Sequence, residues 1–223
     1  MKYFAHTGVG LSLMALFLMQ PQTASAGVIL SPTSVVLNTA GNFSSADPIE
    51  NTINQAGMDT PFTSGVTDFD TYMAGNPLHN YGYTTEWFSP TGVYSGTIIY
   101  DLGADYSLSQ MALWNEDASG LATVSMYTCP DSACSTSTFI GTFDPTPNTY
   151  GVDYPAQVVP FVGTTEYVEL FVTGPGPNDG WDGLAMGEVA FDTSSVPEPS
   201  TFLLLGGGLA AVIWRRARRK AVC

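Results

Sequence analysis

Between Tyr3 and Trp214 the chain has no lysine and no arginine. All six basic residues lie at its two ends, Lys2 and the cluster from Arg215 to Lys220, while 19 of the 20 acids (all but Glu198) fall within residues 27–196. Those 170 residues carry a formal charge of −19. Nucleic acid is thereby excluded as a partner, because neutralising phosphates takes Lys and Arg. Anionic lipid is disfavoured for the same reason. With no Lys or Arg to pair with, the carboxylates must be solvated, hydrogen-bonded or bound to cations. Two readings stay open: divalent counter-ions, Ca²⁺ above all, whose hard charge prefers oxygen ligands, or a strongly acidic surface that keeps the protein soluble.

Histidine and cysteine are almost as scarce. Beyond residue 26 the only imidazole is His79, with no G-x-S-x-G elbow and no His-cluster metal motif. The chain therefore reads as non-catalytic. A carboxylate pair of the glycan-hydrolase kind is the one enzymatic alternative, and with 19 acids such a pair carries no signal. Cys129 and Cys134 bracket Pro130-Asp131-Ser132-Ala133. An even number of cysteines in an exported domain points to a disulfide pinning a local turn, the alternative being a two-cysteine metal site. Cys223 stands alone at the C-terminus.

The ends read as targeting segments. Met1-Lys2, the uncharged run to Met19 and Ala24-Ser25-Ala26 have the order of a secretory signal peptide cut after Ala26, which gives residues 1–26 as signal and 27–196 as one domain of comfortable size. At the other end Pro197-Glu198-Pro199 precedes an apolar Gly-rich run and the basic cluster at 215–220. A helix over 201–214 would span only about 21 Å, short against a hydrocarbon core of roughly 30 Å. The arginines hold that end in the cytoplasm, so the domain faces outward.

The order of Pro-Glu-Pro, a short apolar helix and an arginine cluster over residues 197–223 resembles the PEP-CTERM sorting signal. The resemblance implies a precursor in the inner membrane facing the periplasm, handled by signal peptidase and an exosortase, and then placed at the cell surface or in the extracellular matrix. An uncleaved tail anchor is the alternative.

Within the domain, short β-type runs alternate with Gly, Pro, Asn and Asp clusters. They are Val28–Leu30, Val35–Leu37, Gly96–Leu102, Leu108–Asn115, Leu121–Cys129, Thr138–Phe143, Ala156–Val162, Glu166–Thr173 and Leu184–Phe191. Asn38–Pro90 reads as long loops with one short helix. This predicts an all-β antiparallel sandwich or jelly roll. Three phrases narrow it: Glu86-Trp87-Phe88 before Tyr100-Asp101-Leu102-Gly103, a strand ending Leu113-Trp114-Asn115, and the late Tyr167-Val168-Glu169-Leu170 and Gly187-Glu188-Val189. Their order resembles the discoidin (coagulation factor 5/8 C-type, galactose-binding-like) jelly roll.

That resemblance implies a structural Ca²⁺ held by Asp68 and Asp70 with Glu188. The bland alternative is that Asp68 caps a turn and Glu188 is hydrogen-bonded in the barrel. Sugar sites of such folds lie in loops at one end, where rigid aromatic faces stack on the ring. Tyr81 and Tyr83, and Asn178, Asp179 and Trp181, have that character; Trp181 could instead fold back over the core, where Trp87 and Trp114 belong. The sugar-site arginine usual in the family is missing, since the domain has none. The leading expectation is an exported surface or matrix protein binding extracellular polysaccharide with Ca²⁺ support. Its rival is a structural matrix component with no discrete ligand site.

Overall fold

The structure is a computed structural model that describes residues 27–116, 120–174 and 181–193. The processing residues Ala24, Ala26, Pro197, Glu198 and Pro199, the 201–214 segment and the ligand candidates Asn178 and Asp179 lie outside the described residues. Among the described residues no helix is long and apolar enough to cross a membrane.

Among the described residues ten strands form, β1 Val28–Leu30, β2 Ser34–Asn38, β3 Leu78–His79, β4 Trp87–Phe88, β5 Ser95–Asn115, β6 Thr123–Cys129, β7 Thr138–Phe143, β8 Tyr154–Pro155, β9 Gln157–Thr173 and β10 Ala185–Thr193. The Asn38–Pro90 stretch holds a 3₁₀ turn, Ile49–Ile53, and one short helix, α1, Phe69–Ala74. Eight strands belong to one antiparallel sheet in the order β1-β10-β5-β9-β6-β7, with β2 added on β5 and β4 on β10.

Two pairs of expected strands are each a single strand. Gly96–Leu102 and Leu108–Asn115 fuse into β5, and Ala156–Val162 and Glu166–Thr173 fuse into β9. The break seen in the sequence at Asp101-Leu102-Gly103 is a bulge: Gly103 takes φ +87° and the β5–β9 register shifts between Asp101 and Tyr106. A bulge bends a strand without ending its pairing. Each long strand therefore passes through both layers. The first half of β5 pairs with β2 and the end of β9; its second half pairs with β10 and the start of β9.

Alternation then fills the space between the layers. Ile98, Tyr100, Val168, Leu170 and Val172 from one layer meet Leu113, Phe161, Val189 and Phe191 from the other, with Trp87 closing one end. A second, smaller cluster lies on the outer face of β5 and β10. There Ala112 and Ala190 are small enough for Met58, Phe62, Phe69 and Tyr72 of the long loops to pack over Trp114 and Tyr154. Trp87 and Trp114 are both fully buried, as expected. Cys129 and Cys134 are joined as a disulfide, S–S 2.02 Å. It closes a turn in which Asp131 accepts from the amides of Ala133 and Ser135.

Candidate functional site

Loops from four parts of the chain meet at the start of β10. β4 pairs there, Phe88 opposite Ala185 and Trp87 opposite Met186. Ser89 fastens the incoming loop: its amide donates to the Leu184 carbonyl at 2.9 Å, and its hydroxyl accepts from Leu184 N at 2.8 Å. The indole of Trp181 donates to the Ser89 carbonyl at 2.9 Å, so its polar edge is turned inward and the ring lies across the surface. On the other side the Asn38 side chain accepts from Ala40 N and Gly41 N. The Trp87 indole donates to Gly41 O at 3.0 Å. Phe43 N donates to Phe88 O at 2.7 Å, which delivers the Phe43 ring beside Trp181.

The outcome is a row of four rings. Tyr83 lies 5.3 Å from Phe88 between centroids, Phe88 lies 5.5 Å from Trp181, and Trp181 lies 4.3 Å from Phe43. Phe88 is buried beneath the row, while Phe43 and Tyr83 at its ends are 48% and 64% exposed. Phe43, Trp181 and Tyr83 bring aromatic faces to the surface over the buried Phe88, and flat apolar faces of this kind stack on sugar rings. Polar groups rim it. Tyr94 donates its hydroxyl to Asp182, and that bond pushes the phenol's pKa up. Asp47 accepts from Thr84 N at 2.8 Å and holds the Tyr83 loop in place.

Sequence reasoning placed Tyr83 and Trp181 at this site, and the structure brings them together through Phe88. Tyr81 is exposed but makes no ring contact with the row; its amide donates to Asp153 at 3.3 Å. Phe43 was missed. Its signal was an aromatic residue in a polar, turn-rich segment, the same signal that singled out Tyr83.

The proposed cation ligands do not converge. Asp68 N-caps α1, accepting from Thr71 N at 2.7 Å, which holds its carboxyl below the usual range. Through Val28 it lies at the Thr193 end of β10. Glu188 is five residues back along that strand, about 16 Å away at 3.3 Å per residue. Asp70 is exposed and shares the Asp192 neighbourhood. The physical reason is that Asp68 and Asp70 open a helix packed against β1, while Glu188 points into the turn after Ile53. There Glu188 Oε2 accepts from Gln55 N at 2.8 Å, and Oε1 is buried with no donor among the described residues. A donor-free carboxylate oxygen suits a hard cation; Glu188 fits that role and the two aspartates do not. The one group of three or more His, Cys, Asp and Glu side chains close enough to share an ion among the described residues is Cys129, Cys134 and Glu169, and there both sulfurs are used in the disulfide.

An antiparallel sandwich with two long strands shared between its layers defines the fold: a discoidin-like jelly roll. Solved structures agree on the fold. A chitobiase fragment from Bacteroides thetaiotaomicron superposes with a TM-score of 0.51 at 12% identity, covering 80% of this chain and 99% of its own. Chitosan-binding module 1 of a chitosanase/glucanase from Paenibacillus sp. IK-5 gives 0.50 at 16%, covering 74% and 98%. The CBM32-1, CBM32-2 and M60 catalytic domains of Clostridium perfringens ZmpB give 0.50 at 9%, covering 74% and 14%. No curated protein matches the chain by sequence. Residues 195–219 match the PEP-CTERM protein-sorting motif; the chain carries the sorting signal of an exported, exosortase-processed surface protein.

Proposed function

We propose that this chain is a non-catalytic surface or matrix protein that binds a neutral or amino-sugar polysaccharide across the Phe43–Trp181–Phe88–Tyr83 row. In this reading signal peptidase frees residue 27, the 201–214 segment holds the precursor in the inner membrane, and the exosortase then releases or transfers it. The observation that carries the glycan reading is the row itself: exposed Phe43 beside a part-buried Trp181 whose indole N–H is already satisfied, and exposed Tyr83 beyond the buried Phe88. Charge chooses among glycans. With 19 acids and no Lys or Arg in the domain, uronate-rich or sulfated polymers are repelled, whereas an amino sugar could add a cation–π contact to the stacking. The neighbouring chitosan-binding module is consistent with this.

Binding to insoluble neutral glucan and to chitosan, measured in moderate salt, tests the reading. Phe43→Ala and Trp181→Ala should each weaken binding at least about tenfold, ~1.4 kcal/mol, with unchanged circular dichroism. Binding to chitosan that survives both substitutions and disappears in salt would be bulk charge attraction, and the row would lose its assignment.

Calcium enters the reading through Glu188. A bound ion would take Oε1 and further oxygens of the Asn51–Gln55 turn, and it would supply structural support at some distance from the rings. Melting of the processed chain should then rise in Ca²⁺, stay flat in Mg²⁺ at equal ionic strength, and lose the Ca²⁺ response in Glu188→Gln. Equal shifts in both cations would mean screening of the negative surface and no bound ion.

A further inference from the structure

Asp192 is the most awkwardly placed carboxylate of the domain. It is buried near the end of β10, 6% exposed. Its Oδ2 accepts from the Ser109 hydroxyl and, at 3.5 Å, from the Gln110 amide. Its Oδ1 has no donor among the described residues. Burial, and after it the charges of Asp70 and Asp68 at the start of α1, push its carboxyl up. No Lys or Arg exists in the domain to relieve this.

What faces Oδ1 is Gly27. A side-chain carbon added at Gly27 would fall 1.9 Å from Asp192 Oδ1 and 2.6 Å from the Thr193 carbonyl. That position excludes every residue but glycine. A backbone nitrogen lies about 2.5 Å from such a carbon, so the Gly27 nitrogen is within about 4.4 Å of Oδ1. The rest of the junction is fixed: Phe69 N donates to Gly27 O at 3.0 Å, and Val28 pairs with Thr193.

We propose that signal-peptide removal completes this junction: the new α-ammonium of Gly27, the domain's single fixed cation, pairs with Asp192 Oδ1 and locks β1 onto β10. The inference rests on the export reading for the position of the cut. Hydrolysis adds water across the Ala26–Gly27 amide; Ala26 leaves as a carboxylate and Gly27 keeps the nitrogen, protonated at neutral pH. In the precursor the same nitrogen is an uncharged amide. The cut therefore delivers a positive charge to three clustered carboxylates, those of Asp192 on β10 and of Asp68 and Asp70 on α1, where the precursor has none. Processing and strand docking become coupled, so the exported chain is tighter than its precursor at the edge where the signal peptide was attached.

The scarcity of lysine makes the test direct. In the processed chain, purified from an exporting host, the N-terminus is the only primary amine apart from Lys220 in the tail. Acetylation removes its charge; reductive dimethylation keeps it at similar bulk. Acetylated protein should melt several degrees lower than the free form, and dimethylated protein with the free form. At pH 8 the folded N-terminus should acylate several-fold more slowly than in urea, and Asp192→Asn should abolish that protection. Equal melting of all three forms, or equal labelling folded and unfolded, overturns the ion pair. Mass spectrometry of the processed N-terminus separates the two readings: a chain beginning anywhere but Gly27 overturns this proposal and leaves glycan binding at the aromatic row untouched.

Discussion

Gly57→Ala is expected to lower the melting temperature by about 5–10 °C. The added methyl would lie 2.1 Å from Cε1 and 2.3 Å from Nε2 of His79, and that ring has nowhere to go. It is fully buried and stacks on Tyr154 with centroids 5.4 Å apart. Gly187 closes its other side, where a side-chain carbon would fall 2.9 Å from Cγ. Its Nδ1 is held by the Asn80 carbonyl at 2.9 Å and the Tyr154 hydroxyl at 3.2 Å. Overpacking of a rigid site costs about 1–3 kcal/mol, and each kcal/mol moves a domain of this size by about 2–4 °C. Gly141→Ala is the matched control: its carbon would meet only Met126 Cε, at 3.9 Å, and a strand glycine without a special conformation gains from a side chain. Thermal melting of the two variants side by side decides the matter. A Gly57→Ala protein that melts with the parent would mean that the loop over His79 is free to lift.

The layers of this fold are written in its alternation. In Tyr167–Val172 every second residue is aliphatic, and Val168, Leu170 and Val172 are the ones buried. The resemblance placed the Gly187-Glu188-Val189 strand, and Trp87 and Trp114 lie in the core where the sequence puts them. Strand continuity was not legible. Asp101-Leu102-Gly103 reads as a turn because glycine at positive φ serves turns and bulges alike, and only the partner strand decides which. β9 is continuous because β5 bends beside it.

Site residues divide along a similar line. Tyr83 and Trp181 stood out as aromatics in polar loops, and their partner Phe43 is separated from them by 40 and 138 residues of sequence. No local rule joins such positions; the hydrogen bond from Phe43 N to Phe88 O does. Asp68 and Asp70 were drawn to Glu188 by family resemblance, whereas Asp68 with Thr71 three residues on is the local pattern of a helix N-cap, and the structure follows the local pattern. Asp192 carried no local signal, because the groups around its carboxylate, Ser109, Gln110 and Gly27, come from distant parts of the sequence.

Acidification should reveal the second large effect, a loss of stability between pH 6.5 and 4 that His79 drives. Burial drives its imidazole down to about 4, against the opposing pull of the Asn80 carbonyl, the charge of Asp153 and the Thr85 carbonyl. Glu86 Oε1 lies 4.0 Å from Nδ1, close enough to suggest an ion pair. The Tyr154 hydroxyl stands between them, donating to Glu86, so the ring remains a neutral donor to Asn80. The unfolded chain protonates near 6.5 and the folded one only near 4. Stability is therefore whole above 6.5 and falls as pH drops through that window, by about 3 kcal/mol in all. Buried carboxyls work the other way. Glu188, Asp192 and Glu169 are raised by desolvation, so their contribution is complete below the ordinary carboxylate range and is lost as pH climbs through their folded-state values. These carboxyls therefore oppose the His79 trend, gaining stability as the pH falls while His79 loses it. Once the first 26 residues are removed, His79 is the one histidine left, and its imidazole proton resonances can be titrated without assignment. A midpoint near 4, with melting temperatures that fall as the pH is lowered from 6.5 towards 4, is the expected result. A midpoint above 6 would mean that water reaches the ring, and that Gly57 and Gly187 do not close over it.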